Sequence, residues 1–86
     1  MAGHNGPYEA LYRTLGKLRK GQSITQQELA DRLGKPQSFV SKYESGERKV
    51  DVIEFIDIVH SMGLDPAQVL ADLINSTGAP KFLIDK

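Results

Sequence analysis

A chain of 86 residues, 40% of them hydrophobic, suffices for one small domain whose single core is near the lower size limit. The lack of cysteine excludes disulfides and thiolate metal sites and points to a reducing cytoplasm. Eleven Lys and Arg balance eleven Asp and Glu, so bulk charge recruits no polyanion, and no apolar run approaches the ~20 residues of a membrane span. There is no secretory pattern, internal repeat or low-complexity tract, and a soluble, cytoplasmic, single-domain protein is expected.

The charges are unevenly placed. Residues 1–50 hold nine of the 11 cations and five of the 11 carboxylates, and residues 51–86 hold the reverse excess, two and six. A basic first half and an acidic second half fit a chain with one anion-facing side.

Residues 1–6, MAGHNG, predict a disordered lead-in. Pro7 suits a first helical position, with Asn5 or Gly6 as the cap. Tyr8, Leu11, Tyr12, Leu15 and Leu18 then recur at helical spacing and are expected in the core. Arg13, Lys17 and Lys20 belong to the wetter side. Thr25-Gln26-Gln27-Glu28 is a capping box: the threonine hydroxyl accepts from the Glu28 amide, and the carboxylate returns to the Thr25 amide. The helix it opens, about 26–33, turns Leu29, Ala30 and Leu33 inward and stops at Gly34. Pro36 restarts the chain, and a further helix over about 36–45 ends at Gly46.

At roughly 100° per residue, Gln37, Ser38, Ser41, Lys42 and Ser45 of that helix fall within an arc of about 140°. Phe39, Val40 and Tyr43 lie opposite, with Glu44 at the border. The polar arc is made of an amide, hydroxyls and one lysine, without a carboxylate. Amides and hydroxyls donate and accept at base edges, where a carboxylate would repel phosphate.

Gln26-x-x-Leu29-Ala30-x-x-x-Gly34, followed by Val40 and Tyr43, resembles the helix-turn-helix of the phage repressor and Cro type, the xenobiotic-response-element-like regulators. The resemblance runs from about Leu11 to Leu73. Ala30 stands where two helices approach closely, and Gly34 permits the positive φ of the turn. Two departures are visible: Pro36 replaces a serine or threonine cap, and Lys35 replaces an apolar turn residue. The resemblance implies an all-α fold, a compact five-helix bundle of the lambda repressor-like DNA-binding type, spanning residues 7–75. It also implies that Arg19 pairs with Glu44, with more value for orientation than for net stability. Gln37 matches the family position that contacts adenine bidentately, and Gln26 the one that contacts phosphate and braces it. Thr25 and Ser45 match further backbone-contact positions. Ser38, Ser41 and Lys42 complete the expected base-contacting set. Phe39 either packs inward or touches a thymine methyl, and its angle favours packing.

Beyond Gly46, Arg48 and Lys49 are adjacent cations beside the proposed DNA face and are expected to meet phosphate, Lys49 foremost. Asp51 opens a fourth helix, with Glu54 placed to cap it in return. Val52, Ile53, Phe55, Ile56, Val59 and Met62 give that helix a wide apolar surface with Ile58 near its edge, and Gly63 ends it. His60 has no partner at metal-ligand spacing. Asp65 and Pro66 start a fifth helix, whose Val69, Leu70, Leu73 and Ile74 exceed what a short last helix must bury and are expected at a dimer interface. Residues 76–86 read as a linker followed by an apolar tail, Phe82-Leu83-Ile84. The tail has three candidate uses: packing back on the domain, reaching a second subunit, or binding another protein.

There is no thiol, no histidine beside a plausible nucleophile, no phosphate-binding glycine loop and no metal constellation, so no enzyme, cofactor or metal is expected. The resemblance implies a homodimeric, sequence-specific regulator of double-stranded DNA in a bacterial or phage setting, associated with the nucleoid. Such a protein represses by occupying a palindromic operator and excluding polymerase, although an activator would show the same sequence. The competing reading is an antitoxin-like or accessory module that uses its acidic half and tail to bind a protein.

Overall fold

The computed structural model describes residues 6–77, which form five α-helices and, among the described residues, no strand. They are α1 (Gly6–Gly21), α2 (Gln26–Leu33), α3 (Gln37–Ser45), α4 (Val52–Ser61) and α5 (Pro66–Thr77). Of the lead-in expected over residues 1–6, residues 1–5 lie outside the described residues, as does the Phe82-Leu83-Ile84 tail, whereas Gly6 is the first residue of α1. α5 runs through Thr77, two residues into the stretch whose composition predicts a linker.

Local chemistry sets where the helices start and stop. Before α2, the Glu28 amide donates to Thr25 Oγ1 at 3.0 Å, and the Thr25 amide donates to Glu28 Oε1 at 2.8 Å. Asp51 and Glu54 repeat this box before α4, at 2.8 and 3.1 Å. The Ala67 amide donates to Asp65 Oδ1 at 3.0 Å as α5 begins. α2 ends because Gly34 takes φ 69°, which lets the Lys35 amide reach back to the Ala30 carbonyl at 2.9 Å. Gly46 closes α3 in the same way. Between α1 and α2, the non-glycine Ser23 holds a positive φ of 59°, and the Ile24 amide bonds back to the Arg19 carbonyl.

The helices pack in a closed circuit: α1 on α3, α3 on α2, α2 on α4, α4 on α5, and α5 back on α1. Leu15, Leu29, Ala30, Val40, Tyr43, Ile58 and Val59 fill the centre with no exposure. Ile24, Phe39, Phe55, Met62 and Val69 surround them. Fully burying one such aliphatic or aromatic side chain stabilises by roughly 1.5–3 kcal/mol. An exposed ion pair such as Arg13–Glu9, 2.6 Å apart, is worth about 0–1 kcal/mol. The core therefore carries the fold.

Two expectations are corrected. Tyr8 is 55% exposed, because it lies in the first turns of α1, beyond the edge of the core. In α4 the buried stripe is Phe55, Ile58, Val59 and Met62, so Ile58 is central rather than marginal. Ile53 and Ile56 project roughly 160° and 100° from Phe55 at ~100° per residue. Val52, on the first turn, extends past the core. Val52 and Ile53 are 65% and 64% exposed, and Ile56 is exposed as well. Among the described residues no helix is long and apolar enough to cross a membrane.

The seam between α2 and α3 admits no bulk at Ala30, which is completely buried. Ala30→Leu should destabilise the domain by roughly 1–3 kcal/mol through overpacking. An unchanged melting temperature would show that the seam is looser than its burial implies.

Candidate nucleic-acid interface

α3 exposes Gln37, Ser38, Lys42 and Ser45 and half-buries Ser41. Its other side is anchored by Phe39, Val40 and Tyr43. Phe39 packs inward, edge-on to Tyr43 with ring centroids 5.5 Å apart. That resolves its two sequence-level options in favour of packing. The Tyr43 ring is fully buried, and burial pushes its phenol above the ordinary range. Pro36 is the α3 N-cap and makes no side-chain capping bond, so the helix begins one residue later than the sequence suggested.

The polar side is held by a chain of hydrogen bonds that crosses three helices. Arg19 of α1 donates from Nε to Glu44 Oε2 at 2.7 Å and from Nη2 to Glu44 Oε1 at 3.0 Å. Its Nη1 donates to the Ile24 carbonyl at 2.8 Å. The Glu44 carboxylate pushes the Arg19 pKa up, outweighing burial, which acts the other way. Gln26 of α2 donates from Nε2 to Glu44 Oε1 at 2.9 Å. Gln37 then donates from Nε2 to Gln26 Oε1 at 2.7 Å.

The chemistry of this chain leaves one arrangement. A carboxylate only accepts, so Gln26 must turn its amide nitrogen toward Glu44 and its oxygen toward Gln37. Gln37 must in turn present its nitrogen to Gln26. One N–H and the carbonyl oxygen of Gln37 stay available at the exposed end, side by side.

The remaining expected contacts divide. Thr25 sits exposed at the start of α2, its hydroxyl accepting the capping bond. Ser41 and Ser45 donate to the Ser38 and Lys42 carbonyls at 3.3 and 3.0 Å. Lys42 is exposed, and Lys49 holds its ammonium 4.8 Å from the Tyr8 ring centroid. Arg48 is committed elsewhere. It forms a two-pronged pair with Glu54 at 2.8 and 2.9 Å and lies 4.6 Å from the Phe39 centroid. The Arg48 guanidinium first, and the Asp51 amide second, hold the Glu54 carboxyl down at about 2. Glu54 thus cancels the positive charge expected for phosphate at Arg48. Sequence reading missed this pair: six residues is not a helical spacing, and a loop intervenes.

The proposed interface on α5 also divides. Val69 is buried within the domain core and is not offered to a partner. Leu73 is half-buried, and Leu70 and Ile74 are exposed. The larger exposed apolar face is on α4, at Val52, Ile53 and Ile56, three of the residues that the sequence places on that helix's wide apolar surface. Among the described residues no group of His, Cys, Asp and Glu could hold a metal ion.

A protein-family model described as helix-turn-helix matches residues 15–69. Among solved structures, an XRE-family like protein from Pseudomonas syringae pv. tomato str. DC3000 is similar at 51% identity and TM-score 0.79, over 83% of this chain and 87% of its own. The clp gene regulator ClgR from Corynebacterium glutamicum is similar at 26% identity and TM-score 0.74, over 86% of this chain and 79% of its own. The restriction-modification controller protein C.AhdI from Aeromonas hydrophila shares the fold at 22% identity and TM-score 0.66, over 72% of this chain and 94% of its own. No curated protein matches the chain.

The side chains of Arg19 and Glu44 are only 9% and 12% exposed. Removing one partner strands the other, so Arg19→Ala should cost on the order of 3 kcal/mol. Arg19→Met with Glu44→Leu should recover most of that loss, since an apolar pair avoids desolvation. Denaturant titration of the two variants checks this; equal losses would make the ion pair a stabilising element in its own right.

The Glu54 carboxyl is depressed from 4.5 to about 2, so its stabilising effect is present above the usual carboxylate range and disappears as pH falls through that interval. Glu54→Gln should therefore be less stable than the parent at pH 7. The gap should close between pH ~4.5 and ~2, and shrink in high salt because the pair is partly exposed. A gap independent of pH in denaturant titrations would contradict this.

Proposed function

The chain belongs to the XRE-type helix-turn-helix family of DNA-binding transcription regulators, and from that premise we propose that it is a repressor, binding a palindromic operator as a homodimer. Family membership also makes it a non-enzymatic protein. The observation that carries the finer reading is the one-directional hydrogen-bond chain from Glu44 through Gln26 to Gln37. An N–H beside a carbonyl is the pair that adenine requires, donating to N7 and accepting from N6. A free glutamine would lose side-chain entropy on adopting that pose, up to ~2 kcal/mol. Gln37 has met part of that cost before DNA arrives.

In this reading α3 enters the major groove. Gln37 and Ser38 lead, Ser41 and Lys42 lie deeper or to the side, and Thr25, Gln26, Ser45 and Lys49 face phosphates. Arg48 is left out of the phosphate set because Glu54 neutralises it. The exposed Leu70 and Ile74 of α5, together with Val52, Ile53 and Ile56 of α4, support a two-fold interface. Such an interface would set the recognition helices about one DNA turn apart, ~34 Å. Repression follows when the occupied operator excludes polymerase.

Gln37→Ala and Lys49→Ala should fail in different ways. Loss of the Gln37 amide should cost about 1–3 kcal/mol on the preferred operator and flatten discrimination at one base position per half-site, leaving non-specific affinity nearly unchanged. Loss of Lys49 should weaken specific and non-specific binding alike and lower the salt slope by about one unit per subunit. Titrations of operator and random DNA across salt concentrations separate the two, and their stoichiometry should be two protomers per operator. Equal losses on both DNAs for Gln37→Ala would remove the base-reading role, and one protomer per operator would remove the dimer.

A further inference from the structure

Lys35 holds the turn position at which the family pattern has an apolar residue, and its charge has no part in the network around Glu44. It is exposed and directly precedes Pro36, the α3 N-cap. Its Nζ lies 5.5 Å from the Phe39 ring centroid. It forms no ion pair among the described residues. The carboxylates beyond α3 act on Arg48 instead: the Glu54 bonds first, and Asp51 after them, push the Arg48 pKa up. Arg48 is likewise foremost among the groups that draw the Glu54 carboxyl down, and Lys35 is the last of them. The Lys35 charge is therefore left largely uncompensated.

Where that charge sits around α3 decides what it can meet. At ~100° per residue Phe39 projects roughly 160° from Gln37, so the two mark opposite flanks of the polar arc. The Gln37 flank carries Glu44 and, through bonds to both side chains, Gln26 at the start of α2. The Phe39 flank carries Lys35 and also Arg48, whose guanidinium lies 4.6 Å from the same ring. An α-helix with its side chains is about 10–12 Å across, and the major groove is about 12 Å wide. A helix lying in that groove turns one flank to each sugar-phosphate wall. Thr25 and Gln26 stand on the first flank. On the second, Glu54 cancels Arg48, and Lys35 is the cation that remains. Lys42 projects about 60° nearer the middle of the arc, toward the bases. Lys49 does not fill the place either, since its ammonium leans over Tyr8 of α1.

Resting on the reading of α3 as the major-groove helix, we propose that Lys35 contacts a phosphate on the DNA strand opposite the one that Gln26 meets. The two contacts then hold α3 between the walls of the groove and set its roll against the base edges. Lys35→Met keeps an apolar stem on the Phe39 ring and removes the charge, and Lys35→Arg keeps the charge. The test titrates the full chain and both variants with operator and random duplexes across salt concentrations. Lys35→Met should weaken binding to both DNAs and lower the salt slope by about one unit per protomer, with the preferred bases unchanged. Lys35→Arg should keep the parental slope. A second measurement uses operators in which single phosphates are replaced by uncharged methylphosphonates. One replacement per half-site should weaken the parent and leave Lys35→Met unaffected, and it should lie on the strand opposite the phosphate that Gln26→Ala ceases to sense. Three results would each overturn the proposal: an unchanged slope in Lys35→Met, a loss confined to the operator with altered base preference, or a Lys35-dependent phosphate on the Gln26 strand. Any of these, with parental binding that still depends on Gln37, removes only the role of Lys35. A parent that binds no DNA removes the reading of α3 itself.

Discussion

Three helices meet at a carboxylate that can only accept hydrogen bonds. Glu44 belongs to α3, takes two bonds from Arg19 of α1, and takes a third from Gln26 of α2. Because every bond runs toward it, the direction of the next one is fixed, and Gln37 inherits that direction at the surface. The network does not hold the domain together. A largely buried ion pair gives back much of its Coulomb attraction as desolvation, whereas the fully buried Leu15, Leu29, Val40, Tyr43, Ile58 and Val59 have no such offset. The division of labour is clear: apolar burial fixes where α3 sits, and the Glu44 network fixes how its first side chain points.

The turn between α2 and α3 makes this geometry reachable. Gly34 in a left-handed conformation reverses the chain within a few residues. The absence of side-chain bulk at Ala30 then lets α3 approach closely enough for Gln37 to bond to Gln26 across it. On the far side of α3, Arg48 is held by Glu54 and lies over the Phe39 ring. Glu54 also caps α4, so one carboxylate ties the loop after α3 to the start of the next helix. The loop is thereby fixed relative to Lys49, whose charge Glu54 leaves uncompensated.

What the sequence made legible depended on range. The capping boxes at Thr25–Glu28 and Asp51–Glu54 and the glycine ends at Gly34 and Gly46 are local, and composition at fixed offsets is enough to read them. The two faces of α3 follow from periodicity alone. Periodicity misled on α4, where apolar residues interrupted only by Glu54, Asp57 and His60 do not show that Ile58 points in while Val52, Ile53 and Ile56 point out. Tyr8 shows the same limit, since helical spacing continues past the edge of the core. The Arg48–Glu54 pair spans a loop, and Ser23 holds its left-handed φ without a residue type that announces it. The partnership of Arg19 with Glu44, and of Gln26 with Gln37, spans 25 and 11 residues and was legible only through the family resemblance.

The account turns on α3 presenting a pre-oriented amide to DNA from each of two symmetric copies. Selection of bound duplexes from a random pool by the full chain tests it most directly. The account predicts an enriched sequence with two-fold symmetry, half-sites about one helical turn apart, and an adenine fixed in each half. A pool that stays random, or one enriched without symmetry and without a fixed adenine, would contradict it.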